Sequence, residues 1–294
     1  MKDVVPFDQR DGFIWYNGEY VNWRDAKVHV LNHGLHYASS VFEGERAYNG
    51  VIFKCNEHSI RLHKSAEILG FQIPYSFDEL DAVKKELLLK QNVVNGYVRA
   101  FAWRGSEKMA IAASNSKIHV AVACWTWPAY YSDEARKKGL KLTLARYKRP
   151  SPECAPVAAK AAGLYMICTI SKNESEAAGY DDAIMLDYRG YIAEATGANL
   201  FFVMKNGELH TPLPDCFLNG ITRQTVIEIA KKRGIKVVER HMKLEDLSEA
   251  ADSFLTGTAA EITRINSIAD KYFYPEISEM TLGLMDDYSK LVGK

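Results

Sequence analysis

The apolar and polar positions at the start of the chain predict antiparallel strands joined by tight turns. Residues 14–21 form two short apolar-rich stretches around Asn17-Gly18, and a second Asn-Gly pair at 49–50 joins residues 46–48 to 51–54. Asn-Gly supplies the positive φ angles that a two-residue hairpin turn requires. The N-terminal part is therefore expected to open with antiparallel sheet.

Helical periodicity follows the hairpins. Residues 57–69 carry one helical pattern, and a second pattern begins at Ser76. Because Glu79 stands three residues after Ser76, the two have the spacing of a capping box. Two apolar runs at 97–103 and 117–125 then predict a pair of strands. Hairpins, two helices and paired strands together indicate an α+β domain.

The second half of the chain continues to alternate strands and helices. A helix over 161–178 is predicted to end before Gly179, and a helix beginning at 221 is predicted to end at Gly234, since glycine favours the left-handed conformation after a helix. The remaining predicted elements are strands at 140–146, 182–187, 199–204, 235–240 and 252–256, and a short helix at 244–250.

A domain connection is predicted at residues 128–138. Pro128 cannot donate to a strand ladder, and the sequence changes there from apolar to charged. This places an N-terminal small domain at 1–127 and a C-terminal large domain at 139–294. The aromatic residues of the connection could instead serve inter-domain packing.

Composition narrows the class of protein. The chain has 294 residues, of which 47% are hydrophobic, and its 37 Lys+Arg balance 37 Asp+Glu, so no basic excess favours nucleic acid. Five cysteines without a Cys-x-x-Cys pair suit reduced thiols in the cytoplasm. The N-terminus carries no apolar leader, and no run approaches the ~18 apolar residues of a membrane span. Dinucleotide, Walker and Gly-x-Ser-x-Gly motifs are missing from the sequence.

Two turns are candidate anion sites. Gly220-Ile-Thr222 opens a predicted helix, whose first N–H groups and dipole favour negative charge. The alternative for Thr222 is a plain helix cap. Thr256-Gly-Thr258 adds hydroxyls and N–H groups at a strand end, although an ordinary turn has the same composition.

Lys160 and several arginines are the candidate charged groups. Lys160 stands among small apolar residues, where desolvation favours the neutral, nucleophilic amine, yet a solvated lysine has the same pattern. Arg61 lies on a helix and is by default a surface residue. Three further arginines lie in or beside strands that also contain aromatic residues: Arg46, Arg99 and Arg104. Each could bind a substrate carboxylate or form a structural ion pair.

Three histidines close in sequence raise the question of a metal site. His29, His33 and His36 lack an accompanying set of carboxylates or thiols at a metal-ligand spacing. No metal is therefore expected.

The order of the motifs resembles the fold-type IV pyridoxal-phosphate enzymes, and most closely the branched-chain amino-acid aminotransferases. The resemblance covers nearly the whole chain, and its specific pieces are Ala26-Lys-Val-His-Val, His36-Tyr, Ser40-Val-Phe-Glu-Gly, Arg61-Leu-His, Ala159-Lys-Ala-Ala-Gly, Asn199-Leu-Phe and Gly220-Ile-Thr-Arg. It implies an α+β, two-domain fold, with a smaller sandwich-like N-terminal domain and a larger C-terminal domain built on a β-barrel-like sheet.

The resemblance also implies a cofactor, pyridoxal 5′-phosphate, and residues to hold it. Lys160 is similar to the catalytic lysine that binds the cofactor and moves the proton. Glu194 is similar to the acid that pairs with the ring nitrogen, and Tyr165 to the tyrosine that bonds the ring oxygen. The residues similar to the phosphate ligands are Arg61, Ile221, Thr222 and Thr258.

For the substrate, the resemblance implies an aromatic pocket and polar groups for two carboxylates. The aromatic residues are Tyr37, Phe42, Trp127, Tyr130 and Tyr165. Arg99 would receive the distal carboxylate of glutamate, with Arg46 as a further candidate, and Thr258 and Ala259 would bind the α-carboxylate. The expected reaction is transamination of leucine, isoleucine and valine with 2-oxoglutarate by a ping-pong mechanism, in at least a homodimer.

Alternatives remain open within and outside the fold. The other enzymes of this fold are D-amino-acid transaminases, amine transaminases and aminodeoxychorismate lyase. The alternative to an enzyme is a non-catalytic protein that keeps the same fold. Two positions depart from the family pattern: Glu45, where many relatives have an apolar residue, and Ala198, where glutamate is frequent. Both leave substrate preference and subunit contacts open.

Overall fold

The structure, a computed structural model, describes residues 5–127 and 131–294. Its backbone contacts divide the chain into two units. The N-terminal unit contains the described residues up to Trp127 together with Ala159–Gly163, and the C-terminal unit contains the described residues of 131–158 together with Leu164–Lys294. Both units combine helices with a sheet, so the expected α+β class is confirmed.

The N-terminal unit is built on a seven-stranded sheet in which every pairing is antiparallel. Its strands are β1 (Phe13–Tyr16), β2 (Glu19–Asn22), β3 (Ser40–Phe42), β4 (Glu45–Tyr48), β5 (Val51–Ile52), β6 (Gly96–Arg104) and β7 (Ile118–Thr126). The order is β2-β1-β7-β6-β4-β5, and β3 also pairs with β6. Both predicted hairpins are confirmed, with Asn17 and Asn49 at positive φ.

Three helices accompany this sheet: α1 (His33–Tyr37), α2 (Cys55–Ile68) and α3 (Phe77–Lys90). The predicted capping box begins α3, where Glu79 N–H donates to Ser76 Oγ and Ser76 N–H donates to the Glu79 carboxylate. Helices α2 and α3 contribute apolar side chains to one core with the sheet, including Leu62, Leu80 and Leu87. This core holds α2 in place, and α2 carries Arg61.

The C-terminal unit contains a nine-stranded sheet. Its strands are β8 (Leu140–Leu144), β9 (Asp182–Leu186), β10 (Ile192–Ala195), β11 (Asn199–Met204), β12 (Leu209–Pro212), β13 (Val237–Arg240), β14 (Ala250–Gly257), β15 (Glu261–Ile268) and β16 (Tyr272–Phe273). The order is β10-β9-β8-β15-β14-β11-β12-β13, with β16 on β15. Strand β10 also contacts β11, so the sheet curls, as expected of a β-barrel-like sheet.

The helices of this unit are α4 (Asp133–Lys138), α5 (Met166–Ala177), α6 (Ile221–Lys232) and α7 (Glu279–Leu291). A 3-10 segment at Ala162–Tyr165 precedes α5, so the helix predicted from 161 begins later. Strands β10 and β12 were not predicted, because each has only four residues, all buried, so neither period-two alternation nor a long apolar run marks them.

Residues 159–163 differ from the predicted arrangement, which placed Lys160 with the C-terminal domain. They pack with the N-terminal unit because Ala161 forms a β-bridge with Val41. Within the predicted connection, residues 133–138 form α4, which contacts β15. The domain limits themselves stay a prediction. Among the described residues, no helix combines the length and apolar character of a membrane span.

Candidate active site

The backbone of Lys160, directly before the bridge residue Ala161, is anchored on both sides. Its N–H donates to Ser65 Oγ on α2 at 3.0 Å, and its carbonyl accepts from Phe42 N–H at 3.1 Å. The side-chain Nζ lies 4.8 Å from the centroid of the Phe42 ring. The main chain at Lys160 is thus tied to a helix and to the end of β3, which limits where its amine can reach.

A second cation also contacts the Phe42 ring. The Arg99 guanidinium carbon lies 4.7 Å from the same centroid, and Arg99 Nη2 donates to the Tyr97 hydroxyl at 3.3 Å. The Tyr97 ring in turn contacts the Trp127 ring edge-to-face at 4.6 Å. Tyr97, which sequence reasoning missed, therefore contacts two predicted residues, Arg99 and Trp127.

Gly44 makes room for Tyr97. A Cβ at Gly44 would lie 1.8 Å from the Tyr97 hydroxyl oxygen, which no rotamer of a packed ring relieves cheaply. The glycine of the Phe-Glu-Gly motif is consequently a packing requirement. It allows the hydroxyl to reach Arg99.

Arg61 is held by a fully buried acid and is not the solvated surface residue of the default interpretation. Arg61 Nε and Nη2 donate to the two oxygens of Glu43 at 2.6 and 2.8 Å, and His58 Nδ1 lies 2.6 Å from Glu43 Oε2. Burial would raise the pKa of Glu43, but Arg61 and His58 outweigh it and hold that pKa well below its usual range. The two-pronged contact sets the plane of the guanidinium.

The remaining predicted residues of this unit are more scattered. Arg46 is buried in β4 directly opposite Tyr97, with its guanidinium 5.3 Å from the Tyr48 ring. Tyr37 is 46% exposed at the end of α1, and its ring lies 4.6 Å from that of His33. Tyr130, also predicted to line the substrate pocket, lies outside the described residues.

In the C-terminal unit, Glu194 lies on β10 and is 9% exposed. Arg149 Nε lies 3.3 Å from Glu194 Oε1, close enough for an ion pair although not aligned for a hydrogen bond. Arg149 is itself buried and donates to Leu164 O.

The start of α6 lies beside this acid. Asn199 Oδ1 accepts from Gly220 N–H at 3.1 Å, while Asn199 Nδ2 lies 3.5 Å from Glu194 Oε2. The N-cap of α6 is Gly220 and not Thr222, so the plain-cap interpretation of Thr222 is wrong. Ile221 and Thr222 are buried in the first turn, where N–H groups lack intrahelical acceptors.

Polar groups of the β14–β15 turn complete this part of the unit. Thr258 and Ala259 are half-buried between the two strands. Thr256 faces Asn199 across the β11–β14 ladder, and its buried hydroxyl has no hydrogen-bond partner within the described part of the chain. Together with the start of α6, such a donor set fits a phosphate ester.

Tyr165 ends the 3-10 segment before α5.

The three N-terminal histidines each contact the backbone. His33 Nε2 lies 2.9 Å from Ala110 O, His36 Nε2 lies 2.8 Å from Val30 O, and His29 Nδ1 accepts from Leu31 N–H. Those contacts give the ring nitrogens a structural role in the local turns.

Comparison with known proteins assigns the chain to a family. Residues 40–268 match the family Amino-transferase class IV, and the chain belongs to it. It is 44% identical over 266 residues to the probable branched-chain-amino-acid aminotransferase of Rickettsia felis, covering 90% of each chain. The expected family is therefore confirmed.

Solved structures support the same relationship. The branched-chain amino acid aminotransferase of Escherichia coli superimposes with a TM-score of 0.92 at 37% identity, covering 96% of this chain and 95% of that one. An aminotransferase from Brucella abortus, solved with the cofactor pyridoxal phosphate, superimposes with a TM-score of 0.85 at 29% identity, covering 97% and 100%. The expected fold class is confirmed with them.

Sequence reasoning missed the partners that orient the predicted residues. Glu43 and Asn199 lie inside motifs that mark the family, so their presence was visible but their contacts were not. Arg149 precedes Pro150 in a stretch without periodicity. Only its position in the folded structure, 3.3 Å from the Glu194 carboxylate, identifies it as a partner of Glu194.

Proposed function

We propose that the protein catalyses reversible transamination of branched-chain L-amino acids with 2-oxoglutarate, giving 2-oxo acids and L-glutamate by a ping-pong mechanism with pyridoxal 5′-phosphate. The observation that carries the proposal is the full-length similarity to branched-chain aminotransferases. The contacts of Lys160 and Arg99 with the Phe42 ring support it.

Each predicted cofactor residue has a chemical role in this proposal. Bound pyridoxal phosphate supplies an aldehyde for amine exchange and a ring that accepts electrons. Lys160 would hold the aldehyde carbon through Nζ and, once free, would accept and return the proton at the substrate Cα. Glu194 would pair with the ring nitrogen, and Tyr165 would donate to the ring oxygen. The phosphate ligands are Arg61, Ile221, Thr222 and Thr258.

The substrate pocket must accept an apolar side chain in one half-reaction and a carboxylate in the other. Phe42 provides apolar surface for the branched side chain, and its ring contacts the Arg99 guanidinium by a cation–π interaction. Phe42 therefore places the apolar surface and the carboxylate-binding cation side by side. Arg46 adds positive charge near Tyr97. The other proposed contacts are Tyr37, Trp127, Tyr130 and Tyr165 for the side chain, and Thr258 and Ala259 for the α-carboxylate.

We further propose a cytoplasmic homodimer or higher homo-oligomer. A stretch of the N-terminal unit exposes Val30 by 71% and Leu35 by 69%, with Val28 and Leu31 about half exposed nearby in sequence. Closely spaced exposed apolar residues of this kind favour burial against another subunit. Light scattering of the purified protein measures the mass directly.

A substrate panel tests the activity. L-leucine, L-isoleucine, L-valine and D-alanine are offered separately with 2-oxoglutarate, and glutamate formation is measured. Turnover of the three L-substrates is expected, whereas turnover with D-alanine alone would assign the protein to the D-amino-acid type.

A cofactor experiment distinguishes an enzyme from a non-catalytic protein of the same fold. The purified protein should show the visible absorption band of covalently bound pyridoxal phosphate. Lys160→Ala should abolish the band, while Lys148→Ala, at an exposed lysine of the same stretch, should retain it. A wild-type protein without the band after added cofactor would favour the non-catalytic alternative.

A further inference from the structure

Asn199 makes three contacts that join two predicted cofactor-binding elements. Its Nδ2 donates to Leu218 O at 3.0 Å and lies 3.5 Å from Glu194 Oε2, and its Oδ1 accepts from Gly220 N–H at 3.1 Å. The residue is 4% exposed. One amide therefore touches the acid on β10, the loop before α6 and the N-cap of α6.

We infer that Asn199 is a positioning residue that fixes the ring-binding acid relative to the phosphate-binding start of α6. The inference rests on the proposed function, because it concerns the ends of one cofactor. A pyridoxal phosphate molecule has a fixed separation between its ring nitrogen and its phosphate. Binding is tightest when the groups that receive the two ends are already held at that separation.

The chemistry of the amide suits this position. Asparagine offers a donor and an acceptor on one short side chain, so it contacts an anionic oxygen and a backbone N–H at once. Aspartate would keep the acceptor for Gly220 but would lose the donor and place a second negative charge beside Glu194. A neutral amide avoids that repulsion while still filling both roles.

Gly220 provides independent support for the link. A Cβ at Gly220 would lie 2.2 Å from Asn199 Oδ1, so only glycine allows the amide to reach the backbone there. The backbone at Gly220 has φ −62° and ψ 140°, angles that alanine adopts readily. The close approach of Asn199, and not the backbone conformation, is what requires glycine.

The first test measures pyridoxal phosphate binding to cofactor-free protein. Asn199→Ala should raise the dissociation constant about tenfold, as expected for losing contacts at both ends. Asn206→Ala is the matched control, since Asn206 is exposed in the β11–β12 turn and should leave binding unchanged. Unchanged affinity in Asn199→Ala would overturn the inference, whereas a wild-type protein that binds no pyridoxal phosphate would overturn the proposed function instead.

The second test is a double substitution. Gly220→Ala should weaken cofactor binding as Asn199→Ala does, because the new methyl group displaces the amide. In the Asn199→Ala background, Gly220→Ala should add less than about a twofold further loss, since the colliding oxygen is gone. Fully additive losses would show that the two residues act separately.

The third test separates positioning from simple structural support. Asn199→Asp keeps the side-chain volume but places a negative charge that repels Glu194. The pH below which cofactor affinity falls should therefore rise by about one unit. A purely structural role would lower the melting temperature of the cofactor-free protein and leave the pH profile in place. That second result would contradict the inference, even if Asn199→Ala is too unstable to measure.

Discussion

The two units hold their candidate charged residues in different ways. In the N-terminal unit, fully buried acids are paired with cations: Glu43 with the half-buried Arg61, and Glu45 with the fully buried Lys84. In the C-terminal unit, Glu194 is contacted by Arg149 on one oxygen and by the neutral amide of Asn199 on the other. Removing one member of a fully buried ion pair leaves an uncompensated charge, whereas removing an amide leaves only an unmade hydrogen bond. The first arrangement should therefore govern folding, and the second ligand binding.

The Glu45–Lys84 pair explains a departure from the family pattern. Lys84 Nζ lies 2.7 Å from Glu45 Oε1 and donates to Ser59 Oγ, which donates to Asp81. Burial would lower the pKa of Lys84, but the carboxylates of Glu45 and Asp81 outweigh it and raise that pKa. An acid at position 45 is thus matched by a lysine from α3. The departure at Ala198 has no structural explanation.

The largest expected effect is loss of Lys84. Lys84→Met should lower the free energy of unfolding by about 3–5 kcal/mol, because the fully buried Glu45 loses its cation. The double variant Glu45→Ile/Lys84→Met should recover most of that loss, since no buried charge then remains of the pair. Urea denaturation at neutral pH measures both.

Lys290→Met is the control for this comparison. Lys290 pairs with Asp286 on α7, and both side chains are more than half exposed, so the change should leave the free energy of unfolding close to that of the wild type. If the double variant at positions 45 and 84 were as unstable as the sum of its single variants, the pair would not be the source of the effect.

An intermediate effect is expected from pH. The pKa of Glu43 is lower in the folded protein than its ordinary value of 4.5, so the unfolded chain binds the proton more tightly. The stabilisation is complete above pH 4.5 and is lost as the pH falls below it, by about 1.4 kcal/mol per pH unit. Urea denaturation of wild type and Glu43→Gln between about pH 6 and about pH 3 separates this contribution from that of the other acids.

Glu43→Gln should flatten the slope, because the amide does not titrate. The control is Glu276→Gln, at an exposed position of the C-terminal unit, which should retain the wild-type slope. An identical pH dependence in wild type and Glu43→Gln would mean that the buried acid is not ionised against Arg61.

The smallest expected effect on folding is at Asn199. Asn199→Ala should lower the free energy of unfolding of the cofactor-free protein by about 1 kcal/mol, the usual worth of a side-chain hydrogen bond. Denaturation in parallel with Lys84→Met gives the comparison directly. A loss as large as that of Lys84→Met would remove the proposed difference between the units.

Local sequence rules predicted much of the fold correctly. Asn17 and Asn49 mark the two hairpins, Ser76 and Glu79 cap α3, and Gly234 follows α6, since each of these depends on the backbone preferences of a few neighbouring residues. The start of α6 at Ile221 was also predicted from its neighbouring residues. The family, and with it the candidate site residues, came from the order of motifs along the chain.

What the sequence by itself determined, then, is which residue types are available and where local elements begin and end. Only the tertiary structure decided which of them are partners. Strand β10 is buried on both faces, so no alternation marked it, and the pairs Glu43–Arg61, Glu45–Lys84 and Glu194–Arg149 join residues far apart in the chain. Strand register and helix packing create such pairs, and single-sequence periodicity contains no information about them.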